Sequence, residues 1–113
     1  MTGPIRRPSE DARARYFRVL GDATRLRILE LLMKRESTVS EVVTALGVPR
    51  SRVSNHLACL KWCGFAESER RGREVLYRVT DARIRKVLAL SRGIGDEQCE
   101  HLATCRRIGP EWI

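Results

Sequence analysis

The chain has 113 residues, and 22 Lys+Arg against 14 Asp+Glu leave a net charge of +8. That length predicts one domain with a modest core, which dimerisation would help, and the cationic excess predicts a polyanionic partner, most simply nucleic acid. A 42% hydrophobic content excludes a disordered basic tail, and no apolar run approaches the roughly 20 residues of a membrane span.

Residues 1–8 hold two prolines, a glycine and two arginines, and read as a flexible basic arm with no apolar stretch of the secretory kind behind it. The expected compartment is therefore the cytoplasm, where thiols stay reduced. Cys59, Cys63, Cys99 and Cys105 are accordingly candidate ligands or reactive groups before they are disulfides.

A first helix is predicted from Ser9, with Glu10 and Asp11 in its first turn and Tyr16, Phe17 and Leu20 as its apolar side. Gly21 ends it. Asp22 caps a second helix in which Leu26, Leu29, Leu32 and Met33 recur at helical spacing. Thr38 and Glu41 form a capping box that opens a short third helix with Val42, Val43 and Leu46 inward. Gly47-Val48-Pro49 stops it, and a fourth helix follows over 50–63 with Val53, Leu57 and Leu60 as core stripe. After Gly64 come two β-like runs, 65–69 and 74–80, joined through Arg70-Arg71-Gly72-Arg73, where Gly72 suits a tight turn. Asp81 caps a last helix with Ile84, Val87, Leu88 and Ser91 on one side. Gly93 and Gly95 are expected to interrupt it, with a short amphipathic piece to follow.

Two helices joined by a tight turn and followed by a basic-tipped hairpin make a winged helix-turn-helix, mainly α with a small β-hairpin wing. Its organisation is read as the arm 1–8, a DNA-binding and dimerisation domain 9–92, and a C-terminal tail 93–113. At about 100° per residue, Arg50, Ser51, Ser54, Asn55, Ala58 and Lys61 fall on the side of the fourth helix away from its core stripe. Short side chains allow close approach to a major groove, Ser and Asn can hydrogen-bond base edges, and Arg and Lys can hold phosphates. The candidate DNA-binding residues are thus Arg50, Ser51, Arg52, Ser54, Asn55, His56 and Lys61 on the helix, with Arg70, Arg71 and Arg73 at the wing tip.

The run Leu20-Gly21-Asp22-Ala23-Thr24-Arg25-Leu26-Arg27-Ile28-Leu29 resembles the helix 1–helix 2 signature of ArsR/SmtB repressors. So do Val53-Ser54-Asn55-His56-Leu57-Ala58-Cys59-Leu60 with Gly64-Phe65, the Arg71-Gly72-Arg73 wing and Tyr77. The resemblance spans about residues 9–92. It implies a homodimeric repressor of operator DNA, with the first and last helices at the dimer interface and an inducer, often a metal ion, that releases the operator. It also makes His56 a structural or backbone-contacting residue. Two sensing sites of that family are not matched: Arg83 stands where the last-helix site needs a His near Asp81, and residues 40–46 hold no Cys.

Cys59 and Cys63 are four residues apart and so lie on one side of the fourth helix, on a shoulder between core and groove faces. Core packing is the bland reading of a helical Cys, and the shoulder position weakens it. Within the family this pair resembles the cadmium/lead-sensing CmtR branch, which implies a third Cys from the partner's C-terminal segment. Cys105 is favoured as that third ligand and Cys99 is the alternate. Thiolates select soft or borderline cations, so Cd(II) or Pb(II) is the expected inducer, with Zn(II), Hg(II) or As(III) also admitted; nearby arginines are expected to favour the deprotonated sulfurs. The rival readings are a thiol-redox repressor using the same cysteines and a nucleoid-type binder. An enzyme is not expected, since no phosphate loop or paired acids are present. Trp62 and Trp112 have no assigned role.

Overall fold

A computed structural model describes residues 8–104. In chain order it contains α1 (Pro8–Leu20), α2 (Ala23–Lys34), α3 (Val39–Leu46), α4 (Arg50–Trp62), β1 (Glu67–Arg71), β2 (Glu74–Arg78) and α5 (Ala82–Thr104). The two strands pair antiparallel, Glu67 opposite Arg78 and Arg71 opposite Glu74. The result is the expected winged helix-turn-helix: five helices and one two-stranded hairpin.

The helix starts follow from their caps. Asp22 accepts a hydrogen bond from the Arg25 N–H at 3.0 Å. At α3 the Thr38 hydroxyl accepts from the Glu41 N–H at 3.1 Å while the Glu41 carboxylate accepts from the Thr38 N–H at 2.9 Å, satisfying two orphan donors reciprocally. The C-terminus of α4 closes in a Schellman arrangement. Gly64 takes φ +82°, its N–H donates to the Lys61 carbonyl, and the Phe65 N–H donates to the Leu60 carbonyl at 2.8 Å. Phe65 and Leu60 are both buried, which is the apolar contact that usually accompanies this closure.

That closure explains why the hairpin starts later than the sequence predicts. Phe65 and Ala66 are consumed in turning the chain into the core, so β1 runs over 67–71 rather than 65–69, and β2 ends at Arg78. The turn is then Gly72-Arg73, with positive φ at Gly72 alone, the pattern of a type II′ hairpin.

The core joins Ile28, Leu29 and Leu32 of α2, Val42 of α3, Val53, Leu57 and Leu60 of α4, Phe65, Val79, and Ile84 and Leu88 of α5. Leu26 and Met33 only pack at its margin, and Ile28, outside the predicted stripe, is completely buried. On α1, Leu20 is buried and Tyr16 packs against Phe65 with ring centroids 4.5 Å apart, but Phe17 is exposed. The expected break at Gly93 and Gly95 does not occur: α5 is one helix of 23 residues, and neither glycine has positive φ. Ser91 is exposed, its hydroxyl donating to the Leu88 carbonyl at 2.8 Å.

Candidate functional site

The α4 helix leaves most of its surface exposed because its core stripe is narrow. Val53, Leu57 and Leu60 are completely buried. Arg50, Ser51, Arg52, Ser54, Asn55, Ala58 and Lys61 are all exposed, and His56 is half-buried. Arg50 is braced by a hydrogen bond from its Nη1 to the Ser40 hydroxyl of α3 at 2.8 Å. Arg27 donates to the Leu46 carbonyl at the end of α3, 3.1 Å away, which ties α2 to the helix-turn-helix. The hydrogen bond from the Arg25 backbone holds the Asp22 carboxyl below its usual range, with the Arg25 charge adding to it. Trp62 closes the same helix with 91% of its side chain exposed.

The three wing arginines are not equivalent. Arg71 donates to Glu69 and to Glu36, the latter at 2.8 Å, whereas Arg70 and Arg73 are exposed and make no ion pair within the described residues. Glu36 also lies 3.7 Å from Arg78. Glu36 and Arg78 escape sequence reasoning, since their pairing bridges segments distant in the chain and has no local signature.

On the shoulder of α4 the two cysteines meet. Cys59 is half-buried and Cys63 exposed, both are free thiols, and they are near enough for each to feel the other's charge. Cys63 is the C-cap residue, its N–H donating to the Cys59 carbonyl at 2.9 Å. Its thiol pKa is raised, first by desolvation, then by the neighbouring Cys59, while Arg25 opposes the shift. The expected arginine effect is therefore present but outweighed. Ligation at Cys63 has to displace a proton.

Cys63 also lines two open grooves. One, of about 500 Å³, runs along Asp11, Arg15, Tyr16, Val19 and Phe65. The other, of about 570 Å³, includes Phe17, Asp81, Arg83, Ile84 and Val87. The described residues contain no group of three or more Cys, His, Asp or Glu placed to hold a metal ion. Cys59 and Cys63 thus supply two soft donors that fit a thiophilic ion but leave its coordination incomplete. Cys99 is exposed on α5, and Cys105 lies outside the described residues. At the start of α5, Arg83 donates to Asp81 through Nη2 at 2.7 Å, through Nε at 3.1 Å and through its backbone N–H at 2.8 Å. Asp81 is thereby occupied by a cation of its own chain.

Residues 22–68 match the profile of the bacterial regulatory proteins of the arsR family. A probable mercury resistance operon repressor of Streptomyces lividans is 38% identical over 101 residues, covering 89% of this chain and 81% of that protein. The chain belongs to the ArsR family. The HTH-type transcriptional regulator CmtR of Mycobacterium tuberculosis is 40% identical over 79 residues, 70% of this chain and 67% of that one. A solved homodimeric winged helix-turn-helix DNA-binding domain from Mycobacterium bovis, described as a possible ArsR-family regulator, superposes with a TM-score of 0.75 at 33% identity. It covers 89% of this chain and 95% of its own. ArsR membership makes this protein a metal-responsive, DNA-binding transcriptional repressor and not an enzyme. No helix among the described residues is long and apolar enough to cross a membrane.

Proposed function

We propose that this protein is a homodimeric repressor released from operator DNA by Cd(II) or Pb(II), held by Cys59, Cys63 and the partner subunit's Cys105, with Cys99 as the alternate third ligand. The observation that carries the reading is the placement of two free thiols one turn apart on the shoulder of the helix whose outer face is polar, cationic and solvent-exposed. Arg50, Ser51, Arg52, Ser54, Asn55, His56 and Lys61 then serve the major groove, and Arg70 and Arg73 the flanking phosphates.

Helix length supports a third ligand from the other subunit. Ile84 lines the Cys63 groove, and an α-helix rises about 1.5 Å per residue, so Thr104 lies roughly 30 Å along the axis from Ile84. That length of α5 leads away from the groove, and Cys99 already stands about 22 Å along the axis from Ile84, which favours a third ligand from the partner subunit. Three thiolates would supply a soft, pH-dependent cross-link. Because Cys59 and Cys63 belong to the recognition helix, tying them to a neighbouring tail competes with seating that helix in its half-site. A coupling of this kind is typically about 1–3 kcal/mol, or 5–150-fold in operator affinity, and is reciprocal.

The test is operator-binding anisotropy under reducing conditions, titrated with Cd(II), Pb(II), Zn(II), Hg(II) and As(III). Cys59→Ser and Cys63→Ser should bind operator as the parent does and lose the response to Cd(II). Variants that still dissociate with cadmium would place the sensor elsewhere. Release by peroxide with no response to any metal would favour the redox reading, which the raised Cys63 pKa does not support.

A further inference from the structure

We infer that Arg71 is a positioning residue of the wing rather than one of its phosphate contacts: Glu36 and Glu69 hold it, fixing the hairpin so that Arg70 and Arg73 alone face DNA. The inference rests on the wing role proposed above for Arg70 and Arg73, and is independent of the metal.

Three observations converge. The α2–α3 connector is stitched to β2 by a backbone bridge, Ser37 N–H to the Tyr77 carbonyl at 3.0 Å and Tyr77 N–H to the Ser37 carbonyl at 2.9 Å. Ser37 is completely buried there, so the adjacent Glu36 is carried to the hairpin by the backbone itself. Its carboxylate is then shared: Oε1 accepts from Arg71 Nη1 at 2.8 Å and Oε2 lies 3.7 Å from Arg78 Nη1. Arg71 also donates from Nε to Glu69, and Arg78 lies 3.7 Å from Glu69 and 3.9 Å from Glu67. A lone exposed ion pair is weak, but a guanidinium held by two carboxylates at once has its donors committed in a fixed plane.

The pleat separates the charges. Side chains alternate between faces along a strand, and the pairing Glu67–Arg78, Arg71–Glu74 sets Glu67, Glu69, Arg71, Glu74 and Arg78 on one face. The two guanidiniums on that face are already paired with its carboxylates, which outnumber them, so the face attracts a phosphate backbone little. Arg70 projects from the opposite face and Arg73 from the turn, both exposed.

Salt dependence distinguishes the two roles, because the slope of log K against log salt falls by about 0.9 for every phosphate the protein no longer neutralises. The probe is a labelled duplex obtained by affinity selection from a randomised pool. Arg70→Gln and Arg73→Gln should each reduce the slope by that amount per wing; if neither does, the wing role of those residues fails, not the placement of Arg71. Arg71→Gln and Arg71→Lys should both weaken binding by roughly 2- to 5-fold per wing with the slope unchanged, since lysine keeps the charge but lacks the fork. Glu36→Gln, which leaves every wing cation in place, should weaken binding similarly, and combining it with Arg71→Gln should add nothing. The inference is overturned if Arg71→Gln lowers the slope as the other two do while Arg71→Lys behaves as the parent.

Discussion

The Asp81–Arg83 pair shows how one substitution within a motif closes a site. Hydrogen bonds from the Arg83 side chain, then from its backbone, lower the Asp81 pKa to about 2. A carboxyl whose pKa falls on folding contributes stability that is fully present above its unfolded value, near 3.9, and is lost as pH drops through the folded value. The window is therefore about pH 4 to 2. Carboxyl chemical shifts followed by NMR should give a midpoint near 2 for Asp81, and Arg83→Gln should move it back toward 3.9. An unmoved midpoint would mean that the helix N-terminus, not Arg83, holds the charge. The sequence already marked Arg83 as the wrong residue for a metal site at Asp81. The structure adds the reason, a chelating guanidinium on both carboxylate oxygens.

At the scale of elements, what could be read in advance was whatever is decided locally. The capping box of α3, the Asp22 cap and the Val53–Leu57–Leu60 stripe all depend on residues within one or two turns, and each is where its pattern put it. The strand boundaries were not legible, because Phe65 looks like a strand residue until the Schellman closure of α4 draws it into the core. The Cys59–Cys63 shoulder was visible from spacing alone, whereas the Glu36 clamp on the wing joins residues 35 positions apart. Nor was the continuity of α5 legible, since two glycines suggest a break. Each costs only about 1 kcal/mol against Ala in a helix interior, less than the packing of Ile84 and Leu88 contributes. A Cβ at Gly93 would meet nothing within 4 Å in the single chain. Gly93→Ala should therefore raise the unfolding free energy by about 0.5–1 kcal/mol in urea titrations. A loss of stability would reveal that another chain packs against that glycine. In α4, Leu57→Ala should cost about 2–5 kcal/mol, the usual penalty for truncating a fully buried leucine.

On the scale of the whole molecule, the large apolar side chains left exposed among the described residues lie on α1 and α5, Trp62 of α4 apart. Phe17 is 60% exposed, Leu90 69% and Ile94 63%. Leu90 and Ile94, one turn apart, share a face of α5 with Val87, which lines the same groove as Phe17. Single chains rarely leave such a face open, and a lone protomer offers one recognition helix where paired half-sites about 34 Å apart require two. The double variant Leu90→Glu/Ile94→Glu places carboxylates in that face without touching α4 or the wing. It should sediment as a 12.9 kDa monomer, bind operator weakly and show about half the parent's salt slope, since it neutralises half as many phosphates. Cadmium–thiolate absorption should fall to that of a two-sulfur site, because Cys59 and Cys63 persist while the partner no longer supplies its sulfur. A variant that remains dimeric would move the interface off these helices. A monomer that keeps full thiolate absorption would bring the third sulfur from its own chain, against the roughly 30 Å that α5 sets between Ile84 and Thr104.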